Sequence, residues 1–150
     1  MNLYQIYLAG GMQGLTFDQM NGWRVTIKNK INKLLDNAGS LFVPVFVNPV
    51  DYYNFEHKNH KTNREVMEFD INKVKSSKLV IVDFTQNPNS IATSMEIAIA
   101  RDNGIPVIGV YEPLANKEHK ELHPWLYEAC TRLCESYDEL AEHIVNFYLT

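Results

Sequence analysis

The chain has 150 residues, of which 45% are hydrophobic and 21% charged, and its formal net charge is −4. That suits a single soluble domain spanning 1–150 with a core of its own, and it leaves too little chain for two domains of ordinary size. The slightly acidic balance, without a concentrated Lys/Arg stripe, excludes a binder of the nucleic-acid backbone, which needs several phosphate-neutralising cations on one face. Small molecules are the expected partners. No basic segment followed by a long apolar run opens the sequence, so neither a secretory signal nor a membrane span is expected, and the cytoplasm is the default location.

In chain order, Tyr4 to Gly11 reads as a short strand ending in two glycines, where the backbone can turn sharply or approach a ligand closely. The run Gly10-Gly11-Met12-Gln13-Gly14 lacks the Gly-x-Gly-x-x-Gly spacing of a dinucleotide site, and no phosphate-loop signature occurs. From about Thr16 to Asn37, Phe17, Met20, Trp23, Ile27, Ile31, Leu34 and Leu35 recur at steps of three and four, which predicts a helix with one buried face, stopped by Asn37-Ala38-Gly39. Leu41 to Val47 is dense in strand formers, and Pro44, which cannot donate to a ladder, points to an edge strand or an early end. Asn48 to His60 has no clear periodicity and reads either as a binding loop or as a merely solvated one.

Helical spacing returns from Asn63 to Ser77 through Val66, Met67, Phe69, Ile71 and Val74. Leu79-Val80-Ile81-Val82 is then wholly apolar, as a strand buried on both faces of a parallel sheet would be, and Asp83 follows at its carboxyl end. A turn at Gln86 to Asn89 leads into a helix that Asn103-Gly104 stops, and Pro106 to Val110 forms another apolar strand, giving a β-α-β unit. A polar segment from Glu112 to His123 precedes a helix at Pro124 to Ala129, a short strand near Arg132 to Cys134 and a last helix from about Asp138 to Leu149. The alternation predicts an α/β fold: a single, doubly wound, flavodoxin- or Rossmann-like domain with a mainly parallel sheet of about five strands, whose ligands bind outside the carboxyl ends of the strands.

Cys130 and Cys134 have no second Cys/His pair at matching spacing and read as buried free thiols. The histidines, His57 and His60 in one polar loop and His119 and His123 around another, form no metal signature, so no metal or cofactor is expected. The stretch from Ser90 to Ala100 is more informative. Small hydroxyl residues crowd the first turn of its helix, where backbone N–H groups lack partners and the dipole is positive, so an anion or a sugar oxygen would be favoured there. Glu96, among apolar neighbours, either reaches the end of the adjoining sheet or is an ordinary solvated helix residue.

Three pieces together carry a resemblance: the opening Tyr7-Leu8-Ala9-Gly10, the Asp-Ile-x-x-Val-x-x-Ser pattern from Asp70 to Ser77, and the spacing from Ser90 to Glu96 followed by Gly104-Ile105-Pro106-Val107-Ile108-Gly109. Over most of residues 4–110 the chain resembles the nucleoside 2-deoxyribosyltransferase family, including its relatives that hydrolyse 2'-deoxynucleoside 5'-monophosphates. The resemblance implies that Glu96 is the nucleophile that attacks the anomeric carbon, that Asp70 binds and protonates the base, and that Tyr7 lines the same pocket. Such a division of labour follows the logic of retaining glycosidases. Gly10, Gly11, Ser90, Ala92 and Thr93 complete the expected substrate-binding set.

Six residues before the nucleophile, the resemblance distinguishes an aspartate that holds a free 5'-hydroxyl from a serine that tolerates a 5'-phosphate. Here Ser90 stands there, whereas the first loop has Gly11 and Gln13 in place of the serine and arginine that the hydrolases tend to carry for the phosphate, and Ala92 replaces a common glycine. Three functions follow as expectations: transfer of the deoxyribosyl group to another base, its transfer to water from a nucleoside 5'-monophosphate, and nucleotide sensing without turnover. The implied partners are a nucleoside or nucleotide and a purine or pyrimidine base. A homodimer or larger homo-oligomer is expected, with Asn146-Phe147-Tyr148 either completing a neighbour's pocket or simply packing the last helix.

Overall fold

A computed structural model describes residues 2–52, 62–117 and 121–150. Five parallel strands, β1 (Asn2–Gly10), β2 (Phe42–Val47), β3 (Leu79–Asp83), β4 (Val107–Val110) and β5 (Arg132–Cys134), form one sheet in the order β2-β1-β3-β4-β5. The chain winds outward from β1 to β2, returns past β1 to β3, and then winds the other way. That reversal makes the carboxyl ends of β1 and β3, where Gly10 lies opposite Asp83, the place at which such sheets leave a crevice.

Alternation along the strands divides the core into two layers. Ile6, Leu8, Leu79, Ile81, Ile108, Val110 and Cys134 pack beneath α1 (Phe17–Ala38) and α6 (Tyr137–Tyr148). Tyr7, Ala9, Val80, Val82 and Val107 face the other way, toward Val74 of α3 (Asn63–Ser76) and Ile97 and Ala100 of α4 (Ile91–Asp102). Every residue of β3 is buried, as a central strand covered by helices on both faces requires. Each fully buried Ile or Leu in these layers contributes about 1.5–3 kcal/mol relative to exposure.

Local chemistry sets the helix starts. Thr16 with Gln19 and Thr62 with Glu65 form reciprocal capping boxes at α1 and α3, and Ser90 caps α4 through the Thr93 amide. β2 runs through Pro44 as an edge strand, since only an edge leaves one row of backbone donors unused.

Some expectations need correction. Phe17 lies on the exposed side of α1, and the buried stripe contains Arg24 instead, beside Trp23, Ile27, Ile31 and Leu35. In α3 only Val74 is fully buried, and Met67 is exposed. The segment from Asn48 opens with a short helix, α2 (Pro49–Tyr52), and Glu112–Asn116 is a 3-10 helix, so neither stretch is wholly irregular. The remainder of the first segment, with His57 and His60, lies outside the described residues, as does His119. Both cysteines are free thiols, but only Cys134 is fully buried; Cys130, just past α5 (Pro124–Ala129), is half-buried, and burial pushes its thiol up to about 12. Among the described residues no helix is long and apolar enough to cross a membrane.

Candidate active site

Tyr7 lies on the layer of β1 that faces α3 and α4, and its side chain is wholly buried. Its hydroxyl and Glu96 Oε2 are buried atoms without a hydrogen-bond partner among the described residues. Each influences the other's ionisation, so the two groups are close, although the approach lacks hydrogen-bond geometry. Two orphaned polar atoms side by side are costly in a core, at about 1–3 kcal/mol each, so stability alone does not account for them.

Glu96 projects from the second turn of α4, which Ser90 and Thr93 anchor. Burial pushes its carboxyl up to about 7; the Tyr7 hydroxyl and the Arg24 guanidinium draw it down, while the negative charge of Asp70 pushes it further up. Asp70, half-buried on α3, accepts a hydrogen bond of 2.6 Å from the Tyr52 hydroxyl at Oδ1. Tyr52 stands edge-on to Phe69. Its hydroxyl is held well above the ordinary tyrosine range, first by burial and then by Asp70, so it stays protonated and remains a donor. α2 is fixed in turn by buried Asn48, which accepts from the Val50 amide at 3.0 Å and donates to Asn21 Oδ1 at 2.9 Å.

The glycines at the end of β1 are required by close approach. A Cβ on Gly10 would stand 2.7 Å from the Trp23 ring, and one on Gly11 would stand 2.8 Å from Asn87 Cβ in the β3–α4 loop. The Ser90 hydroxyl accepts from the Thr93 amide at 3.3 Å and lies 2.9 Å from the Thr93 hydroxyl. Thr93 is buried whereas Ala92 is exposed. Thus Tyr7, Glu96 and Asp70 converge, Gly10 ends β1 against Trp23 and Gly11 follows it against Asn87, and Ser90 and Thr93 face each other at the α4 cap.

Three residues of this region were not singled out from the sequence. Tyr52 fell in a stretch without periodicity. Arg24 is fully buried and donates to the carbonyls of Leu8, Gly10 and Met20; its only sequence signal is a charge inside an apolar stripe. Asp83, at the end of β3, accepts from the Tyr137 hydroxyl at 3.0 Å and from the amides of Thr85 and Gln86 at 3.3 and 3.4 Å. Burial pushes its carboxyl up to about 6 against the pull of those donors.

No group of three His, Cys, Asp or Glu among the described residues could hold a metal ion. A cavity of about 930 Å³ lies elsewhere, on the exposed side of α4 against α5, where Ile91, Met95, Arg101, His123 and Trp125 line it and Tyr7 and Glu96 do not.

Residues 6–136 match the family model described as nucleoside 2-deoxyribosyltransferase. The chain belongs to that family. Solved structures agree in fold: a conserved protein from Enterococcus faecalis V583 has a TM-score of 0.69 at 19% identity, covering 96% of this chain and 98% of that one. The 2-deoxyribosyltransferase of Leishmania mexicana has a TM-score of 0.64 at 18% identity, covering 97% of this chain and 99% of that one. That of the psychrotolerant bacterium Bacillus psychrosaccharolyticus has a TM-score of 0.62 at 14% identity, with coverage of 91% and 90%. No curated protein matches the chain. At these identities the structural likeness concerns the nucleoside 2-deoxyribosyltransferase fold, and the sheet order and single-domain α/β architecture conform to it.

Proposed function

We propose that this member of the nucleoside 2-deoxyribosyltransferase family cleaves the N-glycosidic bond of 2'-deoxynucleosides through a covalent glycosyl-Glu96 intermediate and passes the sugar to a second base. The observation that carries this reading is the pair of buried, unpartnered polar atoms, Tyr7 Oη on β1 and Glu96 Oε2 on α4, which packs against that face of the strand. A carboxylate so placed can attack the anomeric carbon as the base departs, and Tyr7 can donate to it between steps. Asp70, oriented by Tyr52, is the group that binds the base: it takes up a proton as the substrate enters and passes that proton to the base as it leaves. The base leaves with that proton, the sugar remains as an ester of Glu96, and an incoming base reverses the sequence.

One observation favours a second reading, hydrolysis of a 2'-deoxynucleoside 5'-monophosphate: the residue capping α4 is Ser90, which does not repel a phosphate. The two readings separate on incubation with each 2'-deoxynucleoside and its 5'-monophosphate, with and without an acceptor base, followed by chromatography. Base exchange supports the transferase, and base release without an acceptor supports the hydrolase. Release from none of these substrates would sink both in favour of a nucleotide-binding sensor.

The Ser90 reading has a direct test. Aspartate is as good a cap as serine, so Ser90→Asp keeps α4 intact. If Ser90 faces a 5'-phosphate, the substitution lowers the monophosphate-to-nucleoside activity ratio by about tenfold or more, through like-charge repulsion. An unchanged ratio would reduce Ser90 to a helix cap and leave the transferase as the assignment.

We also propose a homodimer or larger homo-oligomer acting in the cytoplasm. The exposed side chains of Phe147 at the end of α6, and of Ile91 and Trp125 beside the α4–α5 cavity, support association.

A further inference from the structure

Arg24 is the largest fully buried side chain among the described residues, and no carboxylate there forms an ion pair with it. Its Nε and Nη2 donate to Leu8 O at 3.4 and 3.3 Å, Nη2 also reaches Gly10 O at 3.2 Å, and Nη1 donates to Met20 O. The guanidinium stacks 4.7 Å from the centre of the Trp23 ring. Backbone carbonyls are dipoles and neutralise no charge, so a guanidinium buried among them alone carries a large desolvation penalty. Burial pulls it down to about 10, which still leaves it cationic at neutral pH. Nothing in the transfer mechanism uses it so far.

Its placement suggests a use. The carbonyls of Leu8 and Gly10 bracket the end of β1, and the strand's alternation puts Arg24 on the α1 side while Tyr7 points to the α4 side, beside Glu96. We propose that Arg24, locked behind β1 by three backbone carbonyls, is a fixed counter-charge that favours the ionised, attacking form of Glu96. It touches neither Glu96 nor substrate, so it is a positioning residue acting electrostatically through the strand, and this role rests on Glu96 being the nucleophile. Arg24 and the Tyr7 side chain between it and Glu96 are fully buried, so a charge at this remove is weakly screened. The charged and titratable groups that act on Glu96 are Tyr7 of β1 and Asp70 of α3 on its own side of the sheet, with Tyr52 of α2 beside Asp70, and Arg24 of α1 across the strand. The tyrosines are neutral and Asp70 opposes ionisation, which leaves Arg24 as the cation that favours it. Asp83, at the end of β3, also draws on the Arg24 charge.

The test is a carbon-13 carboxyl NMR titration of Glu96 without substrate, its resonance identified by its loss in E96Q. In R24Q, which removes the charge but keeps donors, the Glu96 midpoint rises by about half a pH unit or more, and R24K restores part of the difference. The acid limb of kcat/KM moves with it. No shift in either variant, equal shifts in both, or an equal loss of kcat/KM at every pH would overturn the proposal. Should R24Q not fold, the Arg24 Nε resonance of the unaltered protein shows an inflection at the Glu96 midpoint that is absent in E96Q. Absence of that inflection would equally overturn it. Because the titration needs no turnover, an inactive protein would defeat the functional reading without deciding the coupling.

Discussion

Replacing Glu96 by glutamine abolishes base release and, above about pH 7, makes the protein more stable. The first effect is what the proposed nucleophilic role of Glu96 requires: turnover falls by several orders of magnitude, and mass spectrometry of the denatured variant finds no trapped sugar adduct. The second follows from burial. Glu96 is held near 7 in the folded chain, against 4.5 ordinarily, so the native state binds its proton more tightly than the unfolded chain does. That contribution is fully present below about pH 4.5 and is lost as the pH rises through 7, where the buried charge costs on the order of 3 kcal/mol. Glutamine carries no such cost. Denaturation of E96Q and the unaltered protein should therefore give similar stabilities near pH 4, and E96Q should be more stable near pH 8. The same group sets an acid limb near pH 7 in kcat/KM. Equal stabilities at both pH values would show that Glu96 is solvated, and base release by Glu96→Ala at near the original rate would remove the covalent mechanism.

Asp70→Asn slows the chemical step by about 10²–10⁴ on natural bases, with a smaller loss on nucleosides whose base leaves easily. Asparagine can keep its oxygen toward the Tyr52 hydroxyl, so the side chain stays in place while the exchangeable acid is gone. A second consequence has the opposite sign. Asp70 pushes the Glu96 carboxyl up, so Asp70→Asn lowers the Glu96 midpoint and extends activity toward acid. Single-turnover rates on natural and activated substrates check the first effect, and the acid limb checks the second. An equal loss on both classes of substrate would mean that Asp70 only positions the base.

The elements themselves were legible because each rests on short-range chemistry. Period-3.6 spacing marked α1, threonine and serine caps start α1, α3 and α4, and the unbroken apolar run of β3 announced a strand covered on both faces. Where spacing misled, tertiary packing had overridden it: Phe17 has the pattern of a buried residue but sits beyond the sheet's cover, and α3 buries far less than its apolar content suggests. The short helix holding Tyr52 is too brief for any period to show. It exists because buried Asn48 satisfies its first turn and Asn21 together, a partnership of residues 27 apart.

The candidate site divides along the same line. Tyr7, Asp70 and Glu96 could be named only through the resemblance that their motifs carry; read by itself, Glu96 is equally an ordinary helix residue. By itself the sequence determined the α/β alternation, the glycines at the end of β1, the capped turn before Glu96 and the family to which these belong. Only the tertiary structure decided which polar groups lost water. Whether Glu96 meets solvent or Tyr7, whether Asp70 receives the Tyr52 hydroxyl, and that the charges of Arg24 and Asp83 are buried near the ends of β1 and β3 depend on strand register and on helices distant in sequence. The free energy of a charge is set by the groups that surround it in space, and a one-dimensional pattern does not contain them.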